Sequence, residues 1–509
     1  MQLSQLSLAI TALRQNVLTI GQLLPSGAGR VAAIYTDPAK PAYDECIAKN
    51  VAAIAAGRPQ DCVLFSDSAG TVPVVYPIGA GQGKGLLLDR SAGLVRGVEK
   101  VVNGGFSTDT DWTKGTGWSI SGGVATKVAG TASNLTPAVA LVPTVSKVYE
   151  VVYTLTRTAG TATISFGAGA GSAKSASGTY TEKLLASTTG NLTVAVDASF
   201  AGTIDNISIK ELPGHHQQQP TAAARGEFSR RYNQLLATAT LATQSVTAIA
   251  AQYRLSFAGA GTVTLSGAAT GVYSAGSHTI TCTAGSLTLT VAGSVLTGDL
   301  RFMADATIGL PVYQRVTTAS DYDEVGFPTY WRAVTDDWAK SHMDPAGATK
   351  AYVFWSGQKM SDGPQPGIIL ESSAATDSNN GTIFLTAPRT GTVPGYGYRS
   401  KGTVIADATV ITGHAAPRRG VLAGASNITD DICSITVNGT TTTTATDQGT
   451  GTYTEQDVFF GARAGTSLFA NIREYAPPTI LFLQPADSLS ASALNQLQHG
   501  YAKAVGVTL

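Results

Sequence analysis

Val101–Gly123, VVNGGFSTDTDWTKGTGWSISGG, begins on an Asn-Gly-Gly turn, places Trp112 and Trp118 between turns, and closes on a second Gly-Gly. Glycine supplies the positive φ that tight hairpin turns require, and the indoles between them supply an aromatic anchor. A jelly-roll β-sandwich starts in this way. About ninety residues later TIDNISIKEL, Thr203–Leu212, provides the matching last strand. Between these ends VYEVVYTL (Val148–Leu155), TATISF (Thr161–Phe166) and NLTVAVD (Asn191–Asp197) alternate apolar residues with Thr or Ser, the period of half-buried strands. Such sandwiches bind more often than they catalyse.

The scheme then repeats. YRLSFAGAGTVTLSG (Tyr253–Gly267) echoes YEVVYTLTRTAGTATISFG (Tyr149–Gly167), and GSLTLTVAG (Gly285–Gly293) echoes GNLTVAVDA (Gly190–Ala198). The spacing of about one hundred residues at both matches predicts a tandem duplication. PGHHQQQPTAAARG (Pro213–Gly226) lies between the copies without periodicity and reads as a linker, with His215 and His216 as surface residues rather than metal ligands.

The chain has 509 residues, too many for one hydrophobic core. Charged residues make up 13%, Lys+Arg and Asp+Glu balance at 34 each, and the composition is that of a β-rich protein. No basic field is available for nucleic acid or an anionic membrane, and no segment is long enough for a membrane span. Cys46, Cys62, Cys282 and Cys433 lack metal-site spacing, and only Cys46 with Cys62 is a candidate disulfide. Leu6–Leu13 has no preceding cation and no small-residue cleavage site, so no secretory signal is expected.

Leu3, Leu6, Ile10, Leu13, Val17, Ile20 and Leu24 follow one another at alternating spacings of three and four. This predicts an N-terminal helix over 1–24 that either self-associates as a coiled coil, a homotrimer being favoured, or docks on a partner. Gly21 and Pro25 stop it. Residues 25–100 read as a small mixed attachment region with a helix near Pro41–Ala56 and short apolar strands. Gly79–Gly85 resembles a phosphate loop only superficially, because the spacing to Lys84 is one residue short and Gly85 stands where Ser or Thr is required.

Trp112 and Trp118 are candidate sugar-stacking platforms, with Asp109, Asp111 and Lys114 as polar companions; the alternative is that both indoles plug the sandwich core. Asp205, at the start of the last strand, is a candidate ligand for a structural calcium ion or else a turn-capping carboxylate. No other cofactor is expected. From Leu310 onward, strands such as AYVFWSG, PGIILES, GTIFLTA and QDVFFGA predict a large two-sheet sandwich. A helix between Asp487 and Val505 closes it, with Leu494, Leu497, Tyr501 and Val505 on one stripe. Glu324, Glu371, Glu455 and Glu474 form no alternating carboxylate strand, and Asp321, Asp323, Asp336 and Asp337 lie in turn contexts, so no glycosidase pair is expected.

GKGLLLDRSAGL (Gly83–Leu94), VVNGGF…GWSISGG, TIDNISIKELPG, ATQSVTAIAAQYRLSFAGAGTVTLSG, LPVYQRVTTASDYDEVGFPTYWR and the terminal AVGVTL, in that order, resemble structural proteins of tailed bacteriophages and prophages. These join carbohydrate-binding jelly rolls to a concanavalin A/laminin-G-like lectin domain. The resemblance implies a mostly β protein with jelly-roll modules at 101–212 and 227–305, a linker at 213–226, and a concanavalin A-like sandwich over 306–509. It further implies a non-enzymatic virion fibre, spike or decoration protein, assembled in the host cytoplasm, whose partners are host surface polysaccharide and other virion proteins. A polysaccharide-degrading tailspike and a purely structural decoration protein are the alternatives. Family members carry a Phe-Asp-Gly stretch before Asp-Asp-Trp; here Arg332-Ala333-Val334-Thr335 precedes Asp336-Asp337-Trp338.

Overall fold

The computed structural model describes residues 30–37, 41–79, 81–319, 321, 326–345, 347–363, 365–374, 379–390 and 394–509. The heptad positions Leu3 to Leu24 lie outside the described residues. The protein is mostly β, with 45% of residues in strands. Its largest unit is a sandwich of two antiparallel sheets. The first has eight strands, and its central strand, Ile472–Leu483, pairs with Tyr330–Ala333, Lys350–Lys359 and Arg30–Ala33. The second has nine, running from Leu64–Phe65 through Ala339–Met343, Gln456–Phe460, Ile368–Ser372, Thr382–Thr386 and Tyr396–Lys401 to Ile405–Val410. Alternation decides which side chains face inward: Ile383 and Leu385, Tyr396 and Tyr398, Ala406 and Ala408, Val458 and Phe460 all join one buried cluster with Trp331 and Trp355.

Two expected boundaries are corrected by the strand pairing. Residues 25–100 do not form a separate attachment region, because Arg30–Ala33 joins the eight-stranded sheet while Leu64–Phe65 and Leu86–Leu87 begin the nine-stranded one. Two-residue apolar strands cannot complete their backbone hydrogen bonds locally, and here distant strands supply the partners. The helix Tyr43–Ala55 buries Tyr43, Cys46 and Ile47 in the same core. Cys46 and Cys62 are separate buried thiols, donating to Tyr35 O and Asn50 O.

Nor are residues 213–226 a surface linker. Gln217–Gln218 is a strand between Leu86–Leu87 and Ala339–Met343. His216 is buried and accepts from Asp89 N at its Nδ1 (2.9 Å), while the Asp89 carboxylate accepts from Ile34 N and His215 N at 2.8 Å each. Burial lowers both imidazoles, with Asp89 opposing. The large sandwich is therefore assembled from three stretches of chain, and the two smaller modules are inserted between them.

The first module is a sandwich of two five-stranded sheets spanning Trp112 to Leu212. The second, from Gln244 to Phe302, differs from the expected two-sheet sandwich: it is one five-stranded sheet. The pairing order is nevertheless shared. Ser133–Pro137, Thr193–Val196 and Ala162–Phe166 are neighbours in the first; Gln244–Ala248, Gly285–Ala292 and the second half of Ala251–Gly267 are neighbours in the second. Val148–Ala159 pairs with Gly178–Leu185 and Ala201–Leu212, as the first half of Ala251–Gly267 pairs with Gly271–Cys282 and Leu296–Phe302. At Gly160 the first module passes from one sheet to the other, whereas the second keeps a continuous strand bent by a register shift between Phe257 and Thr262. The strands Trp112–Lys114 and Trp118–Ser121, one at the edge of each sheet of the first module, have no counterpart among the described residues of the second.

The helix Ala491–Val505 covers the outer face of the eight-stranded sheet. Ser490, not Asp487, caps it by accepting from Ala493 N, and Gly506 ends it in the left-handed conformation. Tyr501 stacks on Phe354 and donates to Pro477 O at 2.6 Å. Beside it Asp305, at the end of the second module, holds Arg419 at 2.8 Å and Arg473 at 2.9 Å, all three buried. One outer face of the sandwich is thus closed by a further layer; the other, on the nine-stranded sheet, carries charge.

Candidate functional site

The expected sugar platforms are core residues. Trp112 is 5% exposed, lies 5.0 Å from Phe106 and donates its indole N–H to Asn103 O. Trp118 is 7% exposed and packs against Phe200. At such burial neither indole presents a face to a sugar ring, which corrects the platform reading in favour of the core plug. Lys114 and Asp109 pair with each other beside them. Asp205 accepts from both the backbone and side-chain N–H of Asn206, at a bulge against Val148–Ala159. Among the described residues no group of three or more His, Cys, Asp or Glu side chains is set to hold a metal. Asp205 thus caps the turn through both of its oxygens.

Register brings together a different set. On the outward face of the nine-stranded sheet, one cross-strand row runs Lys340, Phe459, Glu371, Phe384, Arg399, Asp407, one residue from each of six adjacent strands. These positions alternate with the inward-facing core residues, so the fold holds all six on one side. Arg399 meets Asp407 through two parallel hydrogen bonds, Nε–Oδ1 at 2.8 Å and Nη2–Oδ2 at 2.7 Å, and Arg389 adds a third contact to Asp407 at 3.1 Å. Arg463 donates to Glu371 at 3.0 Å, and Ser373 donates to the other Glu371 oxygen at 3.1 Å. The guanidinium carbons of Arg399, Arg389 and Arg463 lie 4.6, 5.7 and 6.0 Å from the Phe384 ring centroid. Three cations around one buried phenyl ring form a rigid cationic cluster.

The next row is a chain of charges. Asp457 accepts from Lys340 Nζ at 3.1 Å and contacts His342 Nδ1 at 3.0 Å, while His342 Nε2 lies 2.9 Å from Glu455. The Asp457 hydrogen bond raises the His342 imidazole, burial opposing and Glu455 assisting. Burial works to raise the Asp457 carboxyl, but His342 and Lys340 outweigh it and hold it below the ordinary carboxylate range. A general acid for glycoside cleavage needs its carboxyl shifted the other way. Trp338 is half-buried at one end of this face, 6.0 Å from Phe459.

Two polar hollows of about 370 and 420 Å³ flank the edge strand Glu227–Ser229 and share Glu227, Arg332 and Val334. Asp337 lines the second, but both of its oxygens accept backbone N–H groups, from Gly226 and Val334 at 3.0 Å each. Burial raises its carboxyl, the two N–H groups opposing. It is committed to the turn that precedes Trp338. The open-face residues escaped sequence reasoning because each comes from a different strand; the only local signal was a charge at an alternate position of an otherwise apolar run, as Glu371 in IILES.

No protein-family model matches the chain, and no curated protein matches it. Among solved structures, the Ruminococcus gnavus IT-sialidase CBM40 bound to alpha2,3 sialyllactose is 14% identical with a TM-score of 0.23, covering 30% of this chain and 82% of that one. The botulinum neurotoxin serotype D binding domain is 10% identical with a TM-score of 0.25, over 34% and 42% of the two chains. The serotype D ligand binding domain in complex with N-acetylneuraminic acid is 12% identical with a TM-score of 0.23, over 32% and 40%. The chain spans less than half the length of these neurotoxin structures.

Proposed function

We propose that the protein is a non-catalytic glycan-binding component of a tailed-phage virion, a fibre or spike that holds the particle to polysaccharide on the host surface. The observation that carries this reading is the charge ladder on the outward face of the nine-stranded sheet, where Glu371 and Phe384 are buried beneath the arginines while Lys340, Asp457 and Asp407 are 35%, 31% and 30% exposed. Arg399, Arg389 and Arg463 are held by carboxylates beside the Phe384 ring, so their guanidinium groups are fixed in place before any ligand arrives, at little further entropic cost. Carboxylate oxygens of Asp407, and of Asp457 and Glu455 beside Lys340 and His342 further along the face, are the acceptors for sugar hydroxyls. A shallow face of this kind binds weakly once; repeated over several copies, as a self-associating Leu3–Leu24 seam implies, it gains orders of magnitude in avidity. The low-held Asp457 and the Arg463-bound Glu371 support a binding role over hydrolysis.

The test is retention of the purified protein on immobilised host polysaccharide, with the supernatant assayed for released oligosaccharide. Retention without release is expected. Release identifies a polysaccharide-degrading tailspike, and absence of retention with normal incorporation into particles identifies a structural decoration protein.

A further inference from the structure

We propose that Lys84 and Glu474 become joined by an intramolecular isopeptide bond in the core of the large sandwich. Both side chains are fully buried, and Lys84 Nζ lies 3.1 Å from Glu474 Oε1. The surroundings are aromatic: Nζ sits 3.4 Å from the Trp331 ring centroid, 5.6 Å from that of Tyr43 and 6.0 Å from that of Phe460. Two further groups complete the chemistry. The Tyr43 hydroxyl touches both reactants, donating to Glu474 Oε1 at 2.5 Å and accepting from Lys84 Nζ at 3.0 Å, and Trp355 Nε1–H donates to Glu474 Oε2 at 3.0 Å.

In so dry a site the separated charges of ammonium and carboxylate are poorly solvated, and passing one proton from Nζ to the carboxyl gives a neutral amine beside a neutral acid. Burial lowers the Lys84 ammonium, with Glu474 opposing, which favours the nucleophilic amine. Nζ then attacks Glu474 Cδ and a new C–N bond forms. Negative charge develops on Oε2, where the Trp355 N–H already points. Tyr43 takes the proton from the attacking nitrogen and delivers it to Oε1; the Cδ–Oε1 bond breaks and one water leaves. An amine and an acid give an amide and water, with no oxidant, metal or co-reactant. The bond ties residue 84 to residue 474, 390 positions apart, and so encloses both inserted modules in a covalent loop.

Intact-mass spectrometry of the denatured full-length chain tests this. The expected mass is about 18 Da, one water, below that of the sequence. Trypsin should release one branched species joining the fragment that ends at Arg90 to the fragment that begins at Glu474. K84R should restore the full mass, and Y43F should leave a larger share of chains at full mass than the parent. A parent chain at its full sequence mass, or a deficit that maps away from Lys84 and Glu474, overturns the proposal.

Discussion

Arg399 and Asp407 face each other across adjacent strands, joined by two parallel hydrogen bonds of 2.8 and 2.7 Å, and the same Arg399 guanidinium lies over the Phe384 ring. The pair is partly buried, its side chains 15% and 30% exposed, so solvent screens only part of its attraction. Its fixed bidentate geometry suits the recognition role proposed above.

Arg399→Ala removes the central fork of the ladder while leaving the apolar inner face of its strand intact. Retention on polysaccharide should weaken about tenfold, roughly 1.4 kcal/mol, with the melting temperature nearly unchanged. Titration of the variant against the parent, with thermal melts alongside, separates a binding residue from a structural one.

His342 makes stability depend on pH in a definable direction. Its imidazole is raised in the folded state, so its contribution is complete below the unfolded value of about 6.5 and is lost as pH rises through the raised folded value. Asp457 acts in the opposite sense: its depressed carboxyl contributes above about pH 3.9 and loses that contribution as pH falls through the folded value. Melting curves should therefore show stability declining above neutrality in the parent and a flatter profile in H342Q.

Trp118→Ala should destabilise the first module by about 3–5 kcal/mol through the cavity it leaves. Retention on polysaccharide, which rests on the large sandwich, should not change. Denaturant unfolding followed by the remaining tryptophans gives the first quantity and column retention the second; lost retention in a folded variant would return the indole to the sugar site.

Much of this architecture was legible in local pattern. The Thr/Ser-alternating runs at Val148–Leu155 and Tyr253–Gly267 mark strands because a half-buried sheet imposes period two, and the shared Ala-Gly-Thr at 159–161 and 260–262 marks where both modules turn from one partner strand to the next. What stayed hidden depends on long-range pairing. Gln217–Gln219 has linker composition, yet its burial follows from the backbone bonds that Leu86–Leu87 and Lys340 provide. Trp112 and Trp118 look alike in sequence whether they plug a core or face solvent, since only the opposing sheet decides. The ladder from Lys340 to Asp407 has no motif at all, because register across six strands, not spacing along one, creates it.

Asp305 bridges Arg419 and Arg473, and its removal leaves two guanidinium groups buried without their carboxylate. D305A should cost about 3–5 kcal/mol, read as a lowered unfolding midpoint of the large sandwich. A loss below about 1 kcal/mol would mean that water reaches the arginines in solution.

The most direct measurement incubates the purified full-length protein with immobilised host-surface polysaccharide, in parallel with a variant in which Arg389, Arg399 and Arg463 are all replaced by Gln. Retention of the parent, no oligosaccharide in the supernatant, and loss of retention in a variant that still melts cooperatively are expected. Equal retention of parent and variant, or oligosaccharide released by the parent, would contradict non-catalytic glycan binding through the ladder.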